Sequence, residues 1–338
     1  MALNVIWYVL FVAIIAAYVV LDGFDLGVGM LHPIVPKGDE ERRMSLNSIG
    51  PVWDGNEVWL VVGGGVLFAV FPEVYATLFS GFYAPFMLVL AFLILRAVSI
   101  EFRSKRDSMR WRAWWDWTFG VASLLLALLL GVAFGDIASG VPIDATHTIQ
   151  FDPLRLVGPY ALLIGVTAVA MLGQHGAIYL ALKTEGDLQR RARRAADVLV
   201  VAFIVLVAAS GIATALTQPH LAGPYRQVWP LIVPAAAVAA IVNVARENRR
   251  RNERAAFASS CAGIVLLLTS VGLGQFPAVL TSSLDAANSL TIANSMSSQQ
   301  TLTVALVIAA IGMPLVVSYT IGVYWLFRGK VRLGERSY

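Results

Sequence analysis

Cysteine, histidine and charge are all scarce in this chain of 338 residues, and each scarcity excludes something. The single cysteine, Cys261, rules out an internal disulfide and any thiolate cluster; inside an apolar run it reads as a small buried hydrophobe. Of the 4 histidines, His147 and His220 fall in polar connections and His32 ends the first apolar run. Only His175 lies within a run, beside Gln174, where it reads as a hydrogen-bonded packing residue. A haem held by two histidines needs ligands from facing spans at matched depth, and this set does not supply them. No CxxCH is present either. Charged residues make up 14% of the chain against 58% hydrophobic, the composition of a polytopic membrane protein. No low-complexity stretch suggests a separate soluble domain. The first run lacks a basic leader and a small-residue cleavage site, so it reads as a retained helix.

Apolar runs, by contrast, are abundant. They predict spans at about 5–31, 51–71, 76–100, 117–136, 157–182, 197–217, 228–245, 256–276 and 301–327. The expected fold is all-α: a polytopic membrane protein of about nine transmembrane helices in one transmembrane domain over 1–338. A first half at about 5–136 and a second at about 157–276 leave room for two four-helix bundles, with 301–327 as a peripheral last helix. No sequence self-similarity between the halves supports a repeat.

The net charge of +4 is explained by topology rather than by a nucleic-acid partner. Lys and Arg gather in 32–50, 101–116, 183–196 and 246–254 and in the tail, whereas the alternate connections hold only Arg155 and Arg226. Arg96 sits within the third span, where it either reaches up to the interface or pairs with a buried acid. By the positive-inside rule the N-terminus is outside and the C-terminus cytoplasmic, which only an odd number of spans satisfies. Asp136, Asp144 and Asp152 lie toward the outer side, and the Ser- and Asn-rich stretch 280–300 is expected to cap it. Trp7, Tyr8, Trp111, Trp114, Trp115, Trp117, Trp229 and Trp325 cluster near span ends and read as interfacial anchors.

Four carboxylates lie beside or inside apolar runs near the cytoplasmic side: Asp22 and Asp25, then Asp54 and Glu57. Each pair is spaced by three, which places both members on one helix face. Ionisable groups at such depth are costly and usually face a bundle interior or a wet cavity. Two like carboxylates on one face cannot both ionise cheaply, which suits a proton relay. Glycines around the first pair (Gly23, Gly27, Gly29) let another helix approach or leave room for water. For the second pair two readings stand. Pro51 is the first helical residue, with Asp54 and Glu57 in a dipole-favoured first turn; or 39–50 is already helical and Gly50–Pro51 is a kink, with the acids well inside. Trp53 and Asn56 are candidate orienting neighbours. DGFDLG lacks the remaining positions of a calcium loop, and no metal site is expected.

LDGFDLGVGML (21–31) and WDGNEVWL (53–60) resemble subunit II of the cytochrome bd-type quinol oxidases, with Glu57 more like the cyanide-insensitive branch. FRSK (102–105), HGAIYLALKTEG (175–186) and YTIGVYWLFRGKV (319–331) extend the resemblance over nearly the whole chain; Thr281, where proline is frequent, departs from it. The resemblance implies a haem-free accessory subunit of a respiratory quinol:oxygen oxidoreductase in the bacterial cytoplasmic membrane. Its partner would be a haem-bearing subunit I with b- and d-type haems, joined in some complexes by a small subunit; quinol and oxygen would be the substrates. Asp25 and Asp54 would be positions tied to proton uptake, and a structural quinone would be compatible with the chain. Without the resemblance, a stand-alone proton-coupled transporter is the natural reading of acids in a nine-helix bundle.

Overall fold

The computed structural model describes residues 1–150 and 157–334; Asp152, Arg155 and Arg336 lie outside the described residues. Eleven α-helices dominate the described residues: α1 Ala2–Leu31, α2 Gly38–Ile49, α3 Trp53–Val70, α4 Pro72–Gly81, α5 Tyr83–Phe102 and α6 Met109–Ser139, then α7 Pro159–Lys183, α8 Gly186–Thr217, α9 Ile232–Arg249, α10 Glu253–Gln275 and α11 Gln299–Leu326. Among the described residues 8 helices are long and apolar enough to cross a membrane, or 9 if the bent pair α3–α4 counts as one span. The fold is an all-α polytopic membrane protein, as its runs predict.

Three boundaries differ from the sequence expectation, each for a physical reason. The predicted second and third spans do not meet at a simple loop: α4 turns by 120° from α3. Pro72 has no N–H for the turn before it, but suits the first position of a new helix. The stretch 38–57 also divides between two helices. Residues 38–49 are helical, with Asp39, Glu40 and Glu41 in a first turn that favours acids. The chain then turns through 50–52, and α3 starts anew at Trp53 with Asp54 in its first turn. Gly50–Pro51 is thus a turn between helices and not a kink inside one. Finally, α6 and α8 begin at Met109 and Gly186, ahead of their apolar runs. Their first turns carry Arg110 and Arg112, or Arg190, Arg191, Arg193 and Arg194, past the apolar layer at the basic end.

Helix α1 lies at the centre, in contact with α3, α6, α7, α10 and α11. Its crossing with α7 is backbone against backbone. A Cβ on Gly27 would run into the Leu172 carbonyl and lie 2.7 Å from the Gly176 Cα, so only glycines allow this approach. Below the crossing Phe24 stacks on Tyr179 at 3.9 Å, and the Tyr179 hydroxyl donates to the Ser48 carbonyl at 3.0 Å, joining α1, α7 and α2.

Two predicted interfacial anchors are instead packing residues. Trp7 and Tyr8 are buried, their polar tips donating to the carbonyls of Leu302 (3.0 Å) and Gly272 (2.6 Å) on other helices. Trp114, Trp117, Trp229 and Trp325 are exposed, as anchors must be. At the end opposite the basic connections, the segment after α10 pairs β1 (Ala278–Leu280) with β2 (Leu290–Thr291) and folds back as expected of a cap. The Ile292 carbonyl accepts from Asn4 at 2.6 Å, and Ser297 donates through its backbone N–H to Val70.

The last helix packs mainly on α3 and α1 and leaves most of its surface bare. Its basic end is latched to α7 by two lysines. Lys183, ending α7, donates to the Phe327 carbonyl; Lys330 donates to the carbonyls of Ala181 (3.2 Å) and Thr184 (2.8 Å). The terminal carbonyls of each helix, which have no partner within it, are met by an ammonium from the other. The Val331 N–H adds a bond to the Lys183 carbonyl at 2.8 Å.

Candidate functional site

Near the basic end, α1, α3, α5 and α11 bring polar side chains together inside the bundle. Asp22, Asp25 and Arg96 are completely buried, and Asn56 nearly so. Arg96 does not reach for the interface. Its guanidinium grips Asp22 through both terminal nitrogens, Nη2–Oδ1 at 2.5 Å and Nη1–Oδ2 at 3.2 Å, and Nη1 also meets Glu57 Oε2 at 3.4 Å. The planar fork suits a carboxylate, and arginine stays charged where a lysine would readily neutralise.

One turn along α1, Asp25 makes no ion pair among the described residues. Its Oδ2 accepts from Asn56 Nδ2 at 2.7 Å, while Oδ1 is buried without a hydrogen-bond partner. Asn56 Nδ2 also donates to the Leu21 carbonyl (3.1 Å), and its Oδ1 accepts from the Tyr324 hydroxyl at 2.9 Å. The predicted acids therefore separate into three settings. Asp22 is charge-paired, Asp25 is buried beside an amide, and Glu57 is half-buried between Arg96 and the exposed Asp54. Trp53 is half-buried against the core around Phe24, and Trp59 is buried against Ile14 and Tyr18.

A second polar cluster, which sequence reasoning passed over, sits at the basic end itself. Asp116, buried at the start of α6, receives His32 Nε2 (2.7 Å), Arg42 Nη1 (2.8 Å) and Arg103 Nε (2.5 Å). Arg103 continues to Asp39 at 2.8 Å, tying α2 to the α5–α6 turn. The available signal was an acid inside WWDW, an aromatic stretch that has no use for a lone charge. The positive-inside pattern also hid Arg103, which is buried although it lies in a basic connection.

The histidines do not present ligands to a cofactor. His175 Nε2 faces the Val20 carbonyl at 3.0 Å and must donate, so Nδ1 accepts from Ser260 at 2.8 Å; the ring stacks on Phe257. His32 is held between Asp116 and Ser45, and His220 donates to the Ala138 carbonyl at 2.9 Å. His147 lies 3.7 Å from Glu73 in the connection after α6. Haem ligation by these residues does not fit, and among the described residues no group of three or more His, Cys, Asp or Glu converges as a metal site.

An all-helical membrane bundle whose buried acids collect at its basic end defines a class in which ionisable groups serve the interior rather than the surface. Within that class the chain belongs to the cytochrome bd terminal oxidase subunit II family, whose profile matches residues 3–327. It is 35% identical over 333 residues to cytochrome bd ubiquinol oxidase subunit 2 of Bacillus subtilis, covering 98% of this chain and 97% of that one. Against cytochrome bd-I ubiquinol oxidase subunit 2 of Escherichia coli it is 35% identical over 360 residues, covering 97% and 95%. A solved structure of bd oxidase from Geobacillus thermodenitrificans shares the fold with a TM-score of 0.73 at 18% identity, over 97% of this chain and 99% of that chain.

Proposed function

We propose that this chain is the accessory subunit of a cytochrome bd-type quinol oxidase, that it seats a haem-bearing subunit I, and that it admits protons through Asp25. Family membership carries the first part. The stand-alone transporter finds no support among the relatives, which are oxidase subunits. Haem, with its electron transfer and oxygen chemistry, is assigned to the partner because the histidines here are engaged elsewhere. No step is assigned to a quinone. In the apolar cleft between α1, α6 and α10 the Tyr8 hydroxyl and the Gln275 amide nitrogen already donate to carbonyls, and the Gln275 amide oxygen accepts from the Thr281 hydroxyl.

Oxygen reduction consumes protons, and a site inside the bilayer must receive them along titratable groups. The observation that carries the proton route is the setting of Asp25: buried and, among the described residues, outside any ion pair and with one carboxylate oxygen unpartnered. Buried charges are ordinarily paired, so this carboxyl is the member of the cluster best placed to gain and lose a proton. Asp54 stands exposed at the start of α3, and Glu57 follows one turn deeper. Asp22 and Arg96 then supply fixed opposite charges beside the route rather than a step in it. The Arg-rich end faces the cytoplasm of a bacterial cell by the positive-inside rule, so uptake is from that side. With the assembled oxidase in vesicles, Asp54→Asn combined with Asp25→Asn should abolish most proton uptake from the basic face at unchanged haem content. Wild-type uptake in that double variant would remove the route.

A further inference from the structure

We infer that Tyr324, on the last helix, is a positioning residue for Asp25 and acts through Asn56. This rests on the reading of Asp25 as the proton carrier and adds a residue on another helix that acts on it. The Asn56 amide spends both of its hydrogens on α1, one on the Leu21 carbonyl and one on Asp25 Oδ2. Its orientation cannot be reversed, because that would set an amide oxygen against a carboxylate oxygen. The amide oxygen is left pointing at α11, where the Tyr324 hydroxyl donates to it at 2.9 Å. A donor at one end of an amide polarises it and strengthens donation at the other. Tyr324 thus holds Asn56 against Asp25 and sets how strongly Asn56 binds the carboxylate form.

Two further features keep the phenol in place. Its ring meets the edge of Phe24 at 6.4 Å and 89°, and Phe24 is fixed by its stack on Tyr179. The Lys183–Lys330 latch then fixes the axial position of α11 one turn beyond Tyr324. LALK of the seventh helix and FRGK of the tail, far apart in sequence, become one device whose product is the placement of a hydroxyl. Asp25 is faced by Asp22 of α1, Glu57 of α3, Arg96 of α5, Tyr179 of α7 and Tyr324. Of these groups, only Tyr324 reaches it through the amide.

The test uses the assembled oxidase complex. Tyr324→Phe should keep haem content and slow quinol-driven oxygen consumption about threefold to tenfold, the range set by one hydrogen bond. It should also displace the pH–rate profile, which a merely structural role would leave in place. Tyr319→Phe, exposed on the same helix, should change neither. In an Asp25→Asn background, Tyr324→Phe should add nothing, since its effect runs through Asp25. Equal slowing in both backgrounds would overturn the inference. So would an unchanged rate and profile in Tyr324→Phe when Asp25→Asn is impaired. If Asp25→Asn itself is unimpaired, the carrier reading fails, whatever Tyr324→Phe does. Should Tyr324→Phe not assemble, Lys330→Met removes the two Lys330 bonds and weakens the latch without touching the phenol. It should slow turnover and displace the profile, and an unchanged profile would count against the positioning role.

Discussion

Asp22 and Asp25 lie one turn apart on the same buried helix, yet they have opposite electrostatic company. Asp22 is gripped by both terminal nitrogens of Arg96, while Asp25 receives a single amide hydrogen from Asn56. The difference follows from which carboxylate Arg96 of α5 reaches and from where α3 sets Asn56 against α1. Arg96 is long enough to reach one carboxylate and to touch Glu57, and its charge is committed there.

Removing that cation should therefore damage the subunit more than removing the pair. Arg96→Leu leaves Asp22 buried without a partner, a change that costs about 3–5 kcal/mol in comparable settings. Replacing Asp22 and Arg96 together with apolar residues should cost much less. The yield and thermal half-life of the detergent-purified complex measure both; equal loss in the single and double variants would mean that Arg96 matters for some other contact.

The α1–α7 crossing makes a sharper packing prediction. Gly27→Val would push a side chain into the Leu172 carbonyl and Gly176. Backbone cannot give way as a side-chain tip can, so the change should exceed the about 1–3 kcal/mol of ordinary overpacking and abolish assembly. Gly55→Ala, with open space around its would-be Cβ, should assemble normally. Immunodetection of the subunit in membranes decides between them.

Much of this was legible in the sequence because its causes are local. Apolar run length marked the spans, and the clustering of Lys and Arg marked which connections share the basic end. The acids were legible as residues out of place in a bilayer; what they touch was not. Arg96 could reach the interface or pair with an acid, and only the tertiary placement of α5, packed on α6 within reach of Asp22, chose. Pro72 signalled the end of a run, but not that residues 72–81 would form a helix of their own at 120° to α3. The Asp116 cluster and the two-lysine latch join residues from distant parts of the chain, so no window of sequence could contain them. Asp54 is a mixed case: an acid in a first turn was one of the two readings there, but the helix starts at Trp53 rather than at Pro51, so Glu57 lies beyond that turn and residues 38–49 form a helix of their own.

Sidedness can be checked directly. Reporter fusions after Lys105, Arg191, Arg251 and Arg332 should report cytoplasm, and fusions near Asp144, Pro219 and Ser289 should report the outside. A cytoplasmic signal at Ser289 would break the nine-span topology and place the acids on the wrong side for uptake.

Haem assignment has its own test. His175→Ala and His32→Ala should leave the haem content per assembled complex unchanged, because both rings are bonded to protein groups. Loss of one haem's absorption in either variant, with the complex intact, would make this chain a ligand donor.

The measurement that bears most directly on the account is quinol-driven oxygen consumption by the complex carrying Asp25→Asn. The substitution is nearly isosteric and keeps an acceptor for Asn56 while removing the exchangeable carboxyl. The account predicts normal assembly and haem content with turnover slowed at least about tenfold, equivalent to ~1.4 kcal/mol in the limiting barrier. Normal assembly with wild-type turnover would contradict it.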